Sequence, residues 1–283
     1  MNGFLNLLKP TGMTASDVVV RARKILGEKK IGHLGTLDPG ASGVLPLAVG
    51  KGTKLFDFLT FKTKRYRAWF TFGRTTPTLD SYENVSERCG NLPSAKEIGQ
   101  ALPKLIGKLK QLPPQYSALS VAGVRAYRLA RKGQTVDLPL REVEVTEFCL
   151  LRQESADTFV FDIVCSGGTY IRSLCRDLAE ELNTCAYMSA LIRLSSGGFL
   201  LEDSYTLEEL AQKKEKCLLP LDAPLGNIPV WTYPKEVAVK LQNGVKLTAR
   251  FEGLRRIVCD NVLYGVADSA DGKLNWKYYL FGG

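Results

Sequence analysis

The sequence predicts an α+β protein: a mixed sheet partly covered by helices, then a small β module. Three observations lead there. Long alternating runs such as Lys64–Phe72 and Arg141–Gln153 read as strands, and capped helical stretches separate them. No sustained strand–helix–strand rhythm and no internal repeat is present, so a doubly wound parallel sheet is not indicated. Pro220, Pro224, Pro229 and Pro234 interrupt any regular element, and the residues beyond them are rich in short strand-like runs such as 256–259 and 264–267.

Taken in order, residues 4–8 predict a short strand ended by Lys9-Pro10. Thr14 followed by Asp17 resembles a capping box, Val18, Val19, Ala22, Ile25 and Leu26 form a helical stripe, and Gly27 supplies a stop. Residues 32–43 form a glycine-rich loop around Asp38-Pro39, and 44–49 read as a buried strand. Lys64–Phe72 alternates like a strand and 75–84 is a polar loop. Ser94 and Glu97 cap a helix to Leu102, and 124–132 predict a short basic helix stopped by Gly133. Arg141–Gln153 and Thr158–Cys165 follow as strands. Thr169 is expected to cap a helix through Asn183, 190–194 to form a strand, and Thr206 with Glu209 to open another helix.

Composition excludes several classes. The chain has 283 residues, 45% apolar and 24% charged, which is ordinary globular usage rather than disorder or coiled coil. No apolar run approaches the roughly 18 residues of a membrane span. The first residues lack the basic start and apolar stretch of a secretory signal. Seven cysteines with no CxxC pair predict reduced, mostly buried thiols in a cytosolic, cytoplasmic protein. With one histidine, they make a zinc site improbable.

Charge is segregated. The formal sum is +9; residues 1–67 carry 12 basic and 4 acidic side chains, 98–136 carry 7 basic and none acidic, and 137–229 carry 8 and 16. Such a field suits a polyanion, because neutralised phosphates release condensed counterions. Aromatics interleave with basic residues at Lys64-Arg65-Tyr66-Arg67 and Arg125-Ala126-Tyr127-Arg128, a combination that offers base stacking with phosphate contacts.

Two segments carry candidate chemistry. In KIGHLGTLDPGASGVLPLAVGKGTKL, residues 30–55, glycines at 32, 35, 40 and 43 permit tight turns and close ligand approach. Asp38 before Pro39 displays a carboxylate on a rigid loop, suited to nucleophilic or acid–base work; the same dipeptide also initiates ordinary turns. His33 is a possible substrate contact. Gly50-Lys51-Gly52-Thr53 fails the phosphate-loop pattern because position 45 is Leu, so no nucleotide cofactor is indicated. The second segment, residues 167–172, joins a strand to a helix and puts Arg172 in the first helical turn. A cation there is electrostatically misplaced unless an anion is near, and a buried Arg172–Asp38 pair would resolve the conflict.

Residues 30–55 closely resemble the signature loop of the TruB family of tRNA pseudouridine-55 synthases, of the bacterial type. The resemblance continues in order through LNLLKPTGMTASDVV, KRYRAWFTFGRTTPTLDS, QLPPQYSALSVAGVRAYRLARKG, CSGGTYIRSLCRDLAEELN and LLPLDAPL. It implies a catalytic domain over residues 1–225, with a mixed sheet crossed by an active cleft and a basic RNA-binding insertion at 98–136. A divergent PUA-like RNA-binding module over 230–283 follows. The implied activity is isomerisation of uridine 55 in the T-arm of tRNA.

Residue by residue, Asp38 falls on the family's catalytic aspartate, Tyr66 on the tyrosine that stacks on the target base, and Arg172 on the arginine paired with that aspartate. Tyr170 is similar to an active-site tyrosine, Leu191 to an apolar wall position, His33 to a histidine that holds the flipped-out region, and Asp80 to an aspartate of the substrate-binding loop. Gly35 belongs to the signature loop, and Arg125, Arg128, Arg131 and Lys132 are expected to grip the T-arm backbone. The sequence departs from the family at Leu34 and Gly40, and between Leu191 and Phe199, where one arginine is lost. The chemistry is an isomerisation, so no cofactor and no metal is expected; the partner is tRNA, not a membrane, bound by a monomer. A carboxylate can attack C1′, add to C6 or deprotonate C2′, and the sequence does not choose among these routes. Two other readings stand beside this one: a non-catalytic RNA-binding, tRNA-folding protein, and a guide-RNA-dependent synthase of the dyskerin type.

Overall fold

The computed structural model describes residues 1–60, 63–82, 85, 87–117, 119–121, 123–130, 132–134 and 136–281. The chain opens with β1 (Gly3–Lys9), α1 (Ala15–Leu26), β2 (Ile31–His33), β3 (Ser42–Val49), α2 (Phe56–Thr60) and β4 (Lys64–Phe72). Two short strands, β5 (Arg74–Thr75) and β6 (Glu87–Arg88), precede α3 (Ala95–Ala101) and β7 (Gly107–Gln111). Next come β8 (Ser120–Val121), β9 (Val124–Arg125), α4 (Ala126–Ala130), β10 (Arg141–Gln153), β11 (Thr158–Cys165) and α5 (Ile171–Glu181). They are followed by β12 (Ala186–Ser196), β13 (Phe199–Leu200) and α6 (Leu207–Lys213). The chain closes with β14 (Val230–Tyr233), α7 (Ala238–Gln242), β15 (Arg255–Cys259), β16 (Val262–Ala270) and β17 (Lys273–Tyr279).

Among the described residues the main sheet has nine strands. Its spine runs β1-β3-β12-β4-β11-β10-β7, with β2 added to β3 and β13 to β12. All of its pairings are antiparallel except β3 with β12, which makes the sheet mixed. The alternation of β4 follows its sequence. Lys64, Tyr66, Ala68 and Phe70 are buried, while Arg65 and Arg67 leave the other face and meet Asp162 of β11, each at 2.8 Å. Three helices begin at capping boxes, Thr14 with Asp17, Ser94 with Glu97 and Thr206 with Glu209. In each, the reciprocal bonds satisfy N–H groups that the helix itself cannot.

Several elements differ from the sequence expectation. The cap of α5 is Tyr170, not Thr169, whose hydroxyl instead donates to the Ser166 carbonyl at 3.0 Å. Gln111, at the far sheet edge, bonds both the N–H and the carbonyl of Tyr170, so the helix start is held from another strand. The helix ends at Glu181 rather than Asn183, and α4 is shorter than 124–132. β12 outruns 190–194 because β4 pairs along its whole length. Within the acid-free stretch 98–136, Ile98, Ala101 and Leu102 are core residues, and β7 forms the edge of the main sheet on β10. The expectation of reduced cysteines throughout fails at one pair. Cys89 and Cys185 are joined, and Gly73 hydrogen-bonds the backbones of both. Of the remaining five, four are buried and Cys149 is exposed.

The last four strands form their own sheet, β14-β15-β16-β17, over a small core of Leu241, Ile257, Cys259, Tyr264 and Leu274. This sheet is seated on the larger one. Leu263, Val266 and Leu280 share a buried cluster with Phe4, Leu34, Val44 and Ala48, and the Lys51 ammonium lies 3.4 Å from the centre of the Phe281 ring. Leu225 and Ile228, inside the proline-interrupted stretch, are buried in that cluster.

The parallel seam of β3 with β12 is narrow. Gly43 pairs with Arg193 at φ +111°, and a Cβ there would press on the Arg193 backbone, 2.6 Å from its nitrogen. Gly43→Ala is therefore expected to cost at least about 2 kcal/mol, from backbone strain and lost seam packing. Urea unfolding measures it; a loss below about 0.5 kcal/mol would contradict this account of the seam.

Candidate active site

Asp38 lies on the loop between β2 and β3. Its carbonyl accepts from Ala41 N–H at 3.0 Å, so Asp38-Pro39-Gly40-Ala41 forms a tight turn. Two buried cations fasten this loop by its carbonyls. Lys9, at the end of β1, donates from Nζ to Met13 O at 2.6 Å, Pro10 O at 2.8 Å and Pro39 O at 3.3 Å. Arg193 of β12 donates to Val44 O at 2.7 Å, Thr36 O at 3.1 Å and Gly35 O at 3.3 Å. Burial pushes the Lys9 pKa down to about 8. The carboxylate is thus presented by a backbone gripped at both ends.

Arg172 reaches it from the first turn of α5. Its Nε stands 3.0 Å from Asp38 Oδ2, and its Nη1 3.5 Å from Asp80 Oδ2. Nη1 also donates to Thr78 O at 2.9 Å and Nη2 to Tyr116 O at 3.0 Å. The two carboxylates offset the unfavourable helix end, and the two carbonyls take two further donors. Asp80 is held in turn, its Oδ1 accepting from the Thr78 hydroxyl at 2.6 Å and from Tyr82 N–H at 3.0 Å.

A cavity of about 280 Å³ opens above the pair, lined by Asp38, Tyr66, Tyr170 and Leu191, with His33 and Gly35 on its wall. That is near the lower end of small-ligand sites, roughly 300–1,000 Å³, and suits a single base. Burial pushes the Tyr66 hydroxyl up to about 12, with the Arg193 charge opposing the rise. Burial also raises Tyr170 and lowers His33, to which the Arg193 charge adds. A second cavity of about 640 Å³ shares His33, Asp38 and Arg172 with the first and extends past Asp80 to Tyr82, Tyr116 and Tyr127. The two make one cleft.

Asp38, Tyr66, Arg172, His33, Gly35, Tyr170, Leu191 and Asp80 are therefore gathered in one place. The basic residues are not. Arg128 and Lys132 are exposed and line neither cavity, although Arg128 Nε donates to Tyr127 Oη at 3.3 Å at the cleft's rim. The side chain of Arg125, and Arg131 altogether, lie outside the described residues. Lys9, Gln111 and Arg193 escaped the sequence reading as site residues, and Lys64 entered it only among the basic neighbours of Tyr66. Only Lys64, two positions from Tyr66 on a strand, and Arg193, a charge inside an apolar run, carried a local signal. Among the described residues no cluster of histidine, cysteine or acidic side chains is arranged to hold a metal ion, and no helix is long and apolar enough to cross a membrane.

Residues 23–171 match the family model described as TruB family pseudouridylate synthase, N terminal domain, and residues 172–226 that of the tRNA pseudouridylate synthase B C-terminal domain. A tRNA pseudouridine synthase B of Trichormus variabilis is 41% identical over 285 residues, 97% of each chain. Another, of Symbiobacterium thermophilum, is 43% identical over 253 residues, 88% of this chain and 84% of the relative. A solved Cbf5-Nop10-Gar1 complex contains a chain that superposes with a TM-score of 0.75 at 25% identity, over 98% of this chain and 84% of that one. A mixed sheet crossed by this cleft, with sequence matches that run through Asp38, Tyr66 and Arg172, marks a pseudouridine synthase. Within that class, the chain belongs to the TruB family.

Proposed function

We propose that the protein converts uridine 55, in the T-arm of tRNA, to pseudouridine. The observation that carries the chemistry is the Asp38 carboxylate, fixed 3.0 Å from Arg172 Nε, at a base-sized cavity that contains Tyr66. The relatives' name, tRNA pseudouridine synthase B, supports the substrate. The target uridine leaves its stack, at a cost of a few kcal/mol. Stacking against Tyr66 returns roughly 1–3 kcal/mol of that.

Asp38 then initiates rupture of the C1′–N1 bond, whose electron pair stays with the uracil ring. The ring turns, C5 gives a pair to C1′, C5 loses its proton to a base and N1 gains one, so the atoms balance without an outside reactant. Arg172 holds the carboxylate at the sugar. Tyr170 and Leu191 wall the ring, and His33 and Asp80 border the path of the extruded strand. The 230–283 sheet, read as a PUA-like module, is a second RNA contact beside the 1–225 domain.

The test is to incubate the purified protein alone with an unmodified tRNA transcript and to map pseudouridine. Conversion at position 55 is expected. Conversion only when a guide RNA is added would favour a guide-dependent synthase, and none under either condition a non-catalytic RNA-binding protein.

Arg125, Arg128, Arg131 and Lys132 are proposed to meet T-arm phosphates. Affinity for tRNA should fall by roughly 0.7–0.9 log units per log unit of salt for each phosphate neutralised. Replacing all four by Gln should flatten that slope and spare the single-turnover rate at saturating tRNA. Binding isotherms at several salt concentrations decide the matter, and an unchanged slope would assign these residues to solubility alone.

A further inference from the structure

Lys64 leaves β4 on the same face as Tyr66. It is 5% exposed and lines the base-sized cavity with Asp38, Tyr66, Tyr170 and Leu191. A Cβ built on Gly35 would stand 3.6 Å from Lys64 Cε, so its stem runs against the bare backbone of the Asp38 loop. Burial brings its pKa down to about 8, the Arg193 guanidinium on β12 pushes it the same way, and Cys165 on β11 acts weakly against them. It remains largely charged at neutral pH.

The reaction itself supplies an anion. When C1′–N1 breaks, the bonding pair spreads over N1, O2 and O4 of the ring. We propose that the Lys64 ammonium faces the bound uracil and stabilises this anion, making Lys64 a catalytic residue that acts on the charge developing in glycosidic cleavage. It keeps its protons throughout; the C5 proton and the proton reaching N1 travel by the route given above. Fixed charge aimed where charge develops works in the transition state and not in the ground state, which is how a site raises turnover without tightening binding. The buried position of Lys64 has the same logic, since water there would screen the ammonium.

This inference rests on the pseudouridine synthase activity, and wild-type conversion of the uridine transcript is the control for that activity. The test compares two tRNA transcripts, one with uridine and one with 5-fluorouridine throughout. Fluorine withdraws electrons from the ring, so the fluorouracil anion leaves with less help; its C5 has no proton to lose, so the C5-linked ring ends by taking up water at C6, and glycosidic cleavage is the step compared. Consumption of the target nucleoside is followed in single turnover at saturating enzyme, with tRNA affinity measured alongside. Lys64→Met, close in shape and uncharged, is expected to slow the uridine transcript about 100-fold or more. The fluorouridine transcript should slow by no more than about tenfold, and affinity should change only a few-fold. Lys64→Arg keeps the charge and should keep the wild-type ratio between the two transcripts, even where both rates fall. Equal slowing of both transcripts by Lys64→Met, or a uridine rate within about threefold of wild type, would overturn the proposal. A Lys64→Arg ratio that departs from wild type would overturn it as well, and that arm stands even where Lys64→Met does not fold.

Discussion

Asp38→Asn abolishes pseudouridine formation, with a loss of about 10⁴-fold or more, while tRNA binding stays within several-fold. The asparagine occupies the same volume at the same turn. Its loop is still fastened by Lys9 and Arg193, and Arg172 still has the Thr78 and Tyr116 carbonyls and Asp80 to bond. What disappears is the charged oxygen 3.0 Å from Arg172 Nε, whichever route that oxygen takes at the sugar. Release of tritium from C5-labelled uridine in tRNA measures turnover, and filter binding measures affinity. Turnover near the wild-type rate would remove Asp38 from the chemistry.

Tyr66→Phe comes second, with an expected fall of about 10²–10⁴-fold in single-turnover rate and near-normal affinity. The ring, and with it the stacking surface, is kept. The hydroxyl, which feels the Arg193 charge, is lost. Because burial pushes the phenol up to about 12, it is neutral at working pH, and its oxygen can take the C5 proton only by passing its own onward. Tyr66→Ala should add a loss in capture of the extruded base, roughly 1–3 kcal/mol. Equal and mild effects from both substitutions would reduce Tyr66 to packing.

Local signals carried the parts of the fold that depend on neighbours in the chain. The capping boxes at Thr14, Ser94 and Thr206 stand where their spacing put them, and Lys64–Phe72 has its predicted ends and alternation. Asp38 was conspicuous because a carboxylate before proline, among glycines, is an unusual local arrangement. What holds Asp38 was less legible. Arg193 lies more than 150 residues further along the chain and reaches the loop only because β12 runs parallel to β3. Gln111 holds the start of α5 from a sheet edge, and Cys89 finds Cys185 across 96 residues. Such contacts follow from strand order, and strand order leaves no periodicity to read. The same holds for Leu225 and Ile228, which lie among prolines suggestive of a linker and are nonetheless buried.

The cluster they join has a bearing on the Asp38 carboxylate. Leu34 and Val44, immediately outside Gly35 and Gly43, are buried in that cluster together with Leu263, Val266 and Leu280 of the C-terminal sheet. Both roots of the Asp38 loop are thus anchored partly in the small sheet. A chain cut off before Val230 would uncover apolar surface beneath the loop and loosen the two ends of the segment that carries Asp38. Truncation and outer-surface substitution of the C-terminal sheet are therefore different perturbations. Only the second leaves the carboxylate's footing in place, and only the second isolates what that sheet does for the substrate.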